Sequence, residues 1–291
     1  MSVRHVIGLG SLSLLLALPS SGQSRRVDLE AADCSRMNVQ FDDLEVAHAV
    51  QHATVPLSAG RLDVEPEANG GVSFERGTGS SYSVTACVAA GATTQAEAQQ
   101  TADSVRLSIE GSRVRVQSSS HARSLSVQLI VETPPGADVR AATTNGPIGL
   151  RDVNGKFEAH ATNGPIGLRN VRGTVTARAQ NGPISVDGSA GDFDLQTSNG
   201  PISVNLSGTK WEGRMDARAT NGPLQVRVPS NYSSGVEVSS SGNSPWTCHH
   251  EACRGGNRDW DDRSRSIRFG SDPVVVRIST VNGPVMIDDA R

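Results

Sequence analysis

Aromatic residues are scarce in this chain of 291 residues, which has 3 tryptophans, 2 tyrosines and 5 phenylalanines. So few rings are unusual for a globular enzyme and unfavourable for a lectin that stacks sugars on aromatic side chains. An excess of positive charge is also lacking, since 27 Lys and Arg stand against 30 Asp and Glu. Proteins that bind nucleic acids need a basic surface to meet the phosphates. The composition therefore predicts no nucleic-acid partner.

Long apolar runs are missing beyond the N-terminus. Arg4 precedes an apolar run from Val6 to Leu18, and Ser20 and Gly22 offer small residues for cleavage. This order is typical of a secretory signal peptide, and the run is shorter than the roughly 20 apolar residues that span a bilayer. We expect residues 1–22 to be cleaved. The mature chain is then expected to be exported, to the periplasm or the cell surface, without stable membrane insertion.

Cysteine is sparse as well, but the four cysteines are an even number. In an oxidising compartment an even count predicts disulfides, and four cysteines allow three pairings. We favour Cys34 with Cys87 and Cys248 with Cys253. The second pair closes the segment CHHEAC, whose two histidines make a zinc site the alternative. We expect the disulfide, with no metal and no other cofactor.

The feature that is abundant is Asn-Gly-Pro, which begins at positions 145, 163, 181, 199, 221 and 282, with equal intervals between the first four. A finer period runs beneath it, because glycines recur at every ninth position from 146 to 200. Such glycines mark positive φ or a close approach of two backbones, and a fixed period indicates a stacked repeat architecture. The predicted structural corners are Asn145 and Gly146, Asn163 and Gly164, Asn181 and Gly182, Asn199 and Gly200, Asn221 and Gly222, and Asn282 and Gly283.

Between the corners, apolar and polar residues alternate as they do in β-strands. Because the interval between corners is an even number, Ile148 and Ile166 point the same way and can stack in one apolar column. Antiparallel hairpins and a parallel coil both fit this pattern. Proline cannot donate the hydrogen bond that closes a two-residue hairpin, yet it is tolerated where a strand begins. We therefore predict an all-β, single-stack β-solenoid or β-roll of about 18-residue coils, with irregular N-terminal strands and one short helix.

The repeats divide the chain into regions. Residues 134–291 form the solenoid repeats, interrupted by a Cys-containing loop excursion at about 239–270. Residues 23–133 form either an irregular β cap of the same stack or a separate β domain. Within them Thr94 and Glu97 are spaced as a capping box, which predicts the helix. Long excursions often carry binding function, so the candidate binding residues are Trp246, His249, His250 and Trp260.

Catalytic patterns are missing from the sequence: it has no Ser/His/Asp spacing, phosphate loop or nucleotide fingerprint. Glycoside hydrolysis needs two carboxyl groups at a fixed separation. Glu158 and Asp194 fall in one outward column, but Arg140 and Thr176 stand in the same column. Such mixed charge is typical of a solvated face. We therefore expect no enzyme.

The pattern NGPIxL…VxGxFxAxATNGPI, preceded by VQLIVETPPGADVRAATTNG, resembles the bacterial putative-adhesin family of β-strand-repeat proteins, a family of unknown function. The resemblance covers residues 125–228 and 273–288. It implies a β-solenoid or β-roll at the cell envelope without known catalysis, and it carries over no functional residues. The Cys-containing excursion departs from the simple repeat.

The sequence thus suggests an exported, non-enzymatic β-repeat protein that acts as an adhesin-like binding or scaffold module. Its partner would be an envelope or surface protein or a glycan. The alternative is a carbohydrate-active enzyme, a lyase or hydrolase, on the same scaffold.

Overall fold

A computed structural model describes residues 34, 37, 39–66, 69–118 and 124–290. The predicted signal peptide lies outside these residues. The described chain is mostly β, with a ten-residue α-helix, a four-residue helical turn and a 3₁₀ turn at Leu57–Ala59. In chain order its elements are β1 (Glu45–Pro56), β2 (Leu62–Glu65), β3 (Gly71–Arg76), β4 (Ser81–Ala92), α1 (Gln95–Ser104), β5 (Arg106–Glu110), β6 (Arg113–Gln117), β7 (Leu125–Thr133), β8 (Ala137–Thr143), β9 (Ile148–Arg151), β10 (Asn154–Ala161), β11 (Ile166–Arg169), β12 (Arg172–Ala179), β13 (Ile184–Gly188), β14 (Ala190–Asn199), β15 (Ile202–Leu206), β16 (Glu212–Asn221), β17 (Leu224–Val228), β18 (Gly235–Ser241), β19 (Trp246–Cys248), α2 (Ala252–Gly255), β20 (Asn257–Trp260), β21 (Ser264–Phe269), β22 (Val274–Asn282) and β23 (Val285–Asp289).

The strands form two large mixed sheets. The first has eleven strands in the order β1-β4-β7-β3-β9-β11-β13-β15-β17-β23-β19, and the second has twelve in the order β20-β21-β18-β22-β16-β14-β12-β10-β8-β2-β6-β5. In the middle all pairs are parallel, whereas antiparallel pairs lie towards the ends. The all-β prediction is therefore confirmed. The two mixed sheets differ from the single uniform stack that the repeat alone predicts.

The repeat region explains the parallel middle of both sheets. From β8 to β19 successive strands alternate between the sheets, so each repeat unit adds one strand to each. Residues one unit apart lie directly opposite one another, for example Ile166 with Ile184 and Phe157 with Val175. All four of these side chains are buried between the sheets. The alternating apolar residues thus form a continuous core, as their even spacing predicts.

The corner glycines are needed because neighbouring backbones lie very close. A Cβ atom added at any Asn-Gly-Pro glycine would fall 1.9–2.2 Å from the carbonyl oxygen of the glycine stacked before it. Three glycines of the opposite corner, Gly173, Gly191 and Gly213, also have a positive φ, whereas Gly155 does not. Gly173, for instance, has a φ of 92°, a value that residues with a Cβ rarely adopt. The short glycine period therefore comes from two different backbone constraints.

The N-terminal strands continue both sheets. β3 pairs in parallel with β9, and β2 pairs in parallel with β8. Asn69 and Gly70 form the corner before β3, so one corner of the repeat lies far ahead of Asn145 in sequence, without the proline that would reveal it. Helix α1 follows its predicted signal, since the Thr94 hydroxyl accepts a hydrogen bond from the Glu97 amide.

The excursion contains strands that belong to both sheets and is not a simple loop. Strand β18 pairs in parallel with β22, β19 pairs in parallel with β23, and β20 and β21 extend the twelve-stranded sheet in antiparallel fashion. These strands pair as the repeat strands do because the excursion contains a further corner, Asn243-Ser244-Pro245. There the Pro245 carbonyl accepts a hydrogen bond from the Val285 amide, as the carbonyls of the other corner prolines do from the strand next to them. Serine in place of glycine hides this corner from a search for Asn-Gly-Pro.

Candidate functional site

The outer face of the twelve-stranded sheet carries two straight columns of side chains, all of them polar except Ala142. Each column takes one outward residue from each of six neighbouring strands, which lie directly opposite one another. The sequence predicts this alignment, because outward positions recur with the same period as the corners. The first column is Arg140, Glu158, Thr176, Asp194, Asp216 and Arg277, and the second is Ala142, His160, Arg178, Gln196, Arg218 and Ser279.

Glu158 is the centre of an ion-pair cluster at the N-terminal end of these columns. Its carboxylate accepts a hydrogen bond from Arg61 and lies 2.7 Å from Nε2 of His160 and 3.7 Å from Nε of Arg140. The hydrogen bond from His160, followed by the one from Arg61, lowers the pKa of Glu158 to about 2. The carboxylate therefore stays charged at every pH in which the protein is expected to work.

This pKa predicts how replacing Glu158 changes the acid stability. A carboxylate with a lowered pKa stabilises the folded state above its ordinary value near 4.5, and that contribution fades as the pH falls towards about 2. Glu158→Gln should therefore lower the melting temperature at pH 7, and the difference from wild type should shrink between pH 4.5 and pH 2. Circular dichroism melts at several pH values measure it.

The matched control is Glu65→Gln, on the same sheet. It removes one ion pair, with Arg115 at 3.2 Å, instead of a cluster. Its effect at pH 7 should be smaller. A constant melting-temperature difference for Glu158→Gln from pH 7 to pH 2 would contradict the assignment.

Asp194 is the centre of a second ion-pair cluster, which joins β14 to its neighbours β12 and β16. Its carboxylate lies 2.6 Å from Nη2 of Arg178 and 3.8 Å from Nη1 of Arg218. Arg178 also donates a 2.8 Å hydrogen bond to the Asp194 main-chain carbonyl. Two contacts to one residue hold the Arg178 guanidinium in a single position. The side chain therefore loses less conformational entropy when a ligand binds there.

A shallow polar groove lies beside Arg178. It has a volume of about 290 Å³ and spans three coils. Its side chains offer a guanidinium, amides, hydroxyls and an imidazole, which together can donate to and accept from a polar ligand. The lining side chains include His160, Thr162, Arg178, Gln180, Gln196 and Ser198.

The asparagines of the corners form a hydrogen-bonded ladder along one edge of the molecule. Nδ2 of each asparagine donates to Oδ1 of the asparagine one coil before it, at 2.8–3.1 Å. The six predicted corners are thus brought together in one row, and Asn69 adds a rung that the sequence pattern does not reveal. The rungs are Asn69, Asn145, Asn163, Asn181, Asn199, Asn221 and Asn282.

The two tryptophans of the predicted binding loop meet at the C-terminal end of the core. Their rings are 6.0 Å apart, and Trp246 donates a 2.7 Å hydrogen bond from Nε1 to Ser240. Trp260 is 49% exposed and lies under the guanidinium groups of Arg258 and Arg265, at 5.6 and 5.5 Å from its ring centre. Trp246 packs against the core, so of the two rings only Trp260 offers a large surface to a partner.

The two histidines fasten the same segment to the last strand. Nδ1 of His249 lies 2.8 Å from Oδ1 of Asp288, and the buried His250 has its Nε2 3.6 Å from Oδ1 of Asp289. Both aspartates belong to the C-terminal end of β23. We therefore interpret His250 as a packing residue, while His249 remains exposed.

The structure pairs the cysteines as the favoured interpretation has them. Cys34 and Cys87 join the segment before β1 to β4, with Cα atoms 5.4 Å apart. Cys248 and Cys253 join β19 to α2, with Cα atoms 6.3 Å apart. Within the described ranges, no group of three or more His, Cys, Asp or Glu side chains is placed to hold a metal ion.

Two residues escape sequence reasoning, one on this surface and one in the core beneath it. Arg61 lies far from Glu158 in sequence and precedes the regular repeat. Trp211 sits in the unit that is four positions longer than the others, and it is buried against Phe193. Only that longer spacing could have pointed to Trp211. In the part of the chain that the structure describes, neither helix is long and apolar enough to cross a membrane.

No protein-family model and no curated protein matches the chain. Among solved structures it is similar to a putative cell adhesion protein from Clostridium sporogenes, with 8% identity, a TM-score of 0.31, and coverage of 84% of this chain and 100% of that one. A putative adhesin from Bacteroides fragilis gives 8% identity, a TM-score of 0.38, and coverage of 84% and 97%. Such low scores carry no information on residue roles.

Proposed function

We propose that this chain is an exported, non-enzymatic repeat protein of the adhesin type. In this proposal the repeat units act as a solenoid scaffold, and the outer face of the twelve-stranded sheet binds a partner at the cell envelope. Export is supported by the predicted signal peptide and by the two disulfides, since disulfides persist in oxidising compartments.

The observation that carries the proposal is the fixed polar surface around the groove. Arg178 is held by Asp194, and His160 is held by Glu158, so both side chains at the groove are oriented before any ligand arrives. The amides and hydroxyls beside them suit the many hydroxyl and carboxylate groups of a surface glycan. An envelope protein with a polar strand is the other partner that this face could bind.

A binding experiment with matched variants tests this surface. The mature protein is immobilised and challenged with a glycan panel and with envelope extract. Arg178→Ala with Gln196→Ala removes two groove donors and should reduce retention at least about tenfold, the effect of losing charged and neutral hydrogen bonds together. The control, Arg227→Ala with Gln225→Ala, removes the same residue types from β17 on the other sheet.

Retention should be unchanged in the control. Binding is compared at a temperature at which circular dichroism shows all variants to be folded. Equal losses in both double variants would place the contact elsewhere. Loss in neither would reject the groove as the binding surface.

The enzyme alternative makes a different prediction for the same assay. A hydrolase would need one carboxyl group that donates a proton, and the low pKa of Glu158 makes that group a poor donor. We therefore expect retention without turnover. Release of shortened sugars that stops in Glu158→Gln or Asp194→Asn would overturn the non-enzymatic proposal.

A further inference from the structure

The order of the last strands in space differs from their order in sequence. We call residues 274–289, which form β22 and β23, the C-terminal coil, and residues 235–248, which form β18 and β19, the cap coil. The C-terminal coil lies between β16–β17 on one side and the cap coil on the other, in both sheets. The chain therefore first builds the cap coil and then returns to fill the space beneath it.

The position of the cap coil in the sequence is that of the repeat unit expected to follow β16 and β17 directly. Its corner asparagine, Asn243, follows Asn221 by the same interval that separates Asn221 from Asn199. Val276 of the C-terminal coil lies opposite Met215 on one side and opposite Val236 on the other. Apolar inward residues of β16 and β18 thus lie in one row, on either side of the inserted coil. The C-terminal coil is an insert between two surfaces of matching register.

The inserted coil is held by contacts of the repeating type. Asn282 donates from Nδ2 to Oδ1 of Asn221 at 2.9 Å, and the Val285 amide donates to the Pro245 carbonyl at 2.9 Å. Its inward side chains are buried, including Ile278 and Ile287. Only residues 270–273 connect it to β21. Every copy of the chain carries both the coil and the slot that receives it.

We propose that the C-terminal coil is exchangeable between copies of this chain. The partner is a second copy, whose residues 274–289 occupy the slot between β16–β17 and the cap coil. Exchange conserves every backbone ladder and buried side chain of the coil and changes only the path of residues 270–273, as in domain swapping. A reciprocal exchange gives a closed dimer, and serial exchange gives an open row of copies. This proposal is independent of the groove.

Cysteine trapping in the full-length chain tests the exchange. Ser239 of β18 lies directly opposite Ser279 of β22 on the outer face, a distance that a disulfide can span. One preparation carries Ser239→Cys and another carries Ser279→Cys. The two preparations are mixed and brought to a urea concentration close to the unfolding midpoint. They are then returned to buffer at high protein concentration and oxidised. We expect a covalent dimer on non-reducing gels.

The control mixture uses Ser185→Cys and Ser203→Cys, which are also opposite one another but lie in β13 and β15, away from the inserted coil. The exchange predicts at least fivefold more covalent dimer in the test mixture than in this control. Equal yields in the two mixtures would overturn it.

A second measurement tests the exchange with a double variant in a single chain, so no mixing is needed. Ser239→Cys with Ser279→Cys in one chain locks the coil to its own cap once oxidised. After the same urea cycle, light scattering should show dimers for the wild-type chain and only monomers for the locked chain. Monomers for both, or dimers for both, would reject exchange of this coil.

Discussion

Replacing Gly164 with alanine is expected to lower the free energy of unfolding by about 3–5 kcal/mol, a large loss for one methyl group. The reason is the close approach at the corner, where the new Cβ atom would lie 2.0 Å from the carbonyl oxygen of Gly146. That atom belongs to the backbone, so no side-chain rotation relieves the overlap. Strain at one corner would also separate the strands on both sides of it. Urea unfolding followed by circular dichroism measures the change.

Gly149→Ala is the matched control. Gly149 is also in the repeat, on β9, but an added Cβ atom there meets nothing closer than 3.9 Å. The substitution also restricts the unfolded chain, so its effect should be between neutral and about 1 kcal/mol stabilising. If both variants lost the same stability, the effect would come from alanine in general and the close approach would not explain the glycine period.

Replacing Trp211 with alanine is expected to cost about 3–5 kcal/mol, the usual range for deleting a buried aromatic ring. Trp211 is 4% exposed, and its ring lies edge-on to Phe193 with centroids 5.4 Å apart. Its Nε1 donates a 2.9 Å hydrogen bond to the Gly191 carbonyl. The variant would therefore leave a cavity and an unpaired carbonyl at the same place. Unfolding is followed by circular dichroism, because the substitution changes the fluorescence.

Trp260→Ala is the control for this second change. It also removes a tryptophan, but one that is 49% exposed and whose ring contacts are with Trp246, Arg258 and Arg265. Its loss should cost about 1 kcal/mol or less. A larger effect for Trp260 than for Trp211 would mean that the end of the stack limits the stability of the whole molecule.

The central fold could be predicted because its constraints are local. A regularly spaced Asn-Gly-Pro corner fixes where each strand begins, and an even repeat places Ile166 on Ile184 without knowledge of the rest of the chain. Helix α1 is predicted for the same reason, since Thr94 and Glu97 lie within one turn. These signals need only a few neighbouring residues to be read.

The ends of the stack depend on contacts that are distant in sequence, and there prediction was incomplete or wrong. The corner at Asn69 lacks the proline and the one at Asn243 lacks the glycine, so neither shows the repeat pattern. The serine-rich excursion was predicted to be a loop, yet it pairs with β22 and β23. Its strands form because the last strands of the chain return beside them, which no local pattern encodes.

The candidate site also combines features that local sequence predicts with features that depend on contacts distant in sequence. The outward columns were predicted, because outward positions follow the same period as the core. The cluster at Glu158 was not, because Arg61 reaches it from the irregular N-terminal region. Residue type alone indicates the binding residues of the excursion, and burial separates them: His250 is enclosed, whereas Trp260 is not.

The asparagine ladder gives the edge of the molecule a direction. Every side-chain amide donates towards the N-terminal end, from Asn282 through to Asn69, so the amide dipoles all align. A polar, chain-like molecule that lies along this row would therefore interact with it differently in its two orientations.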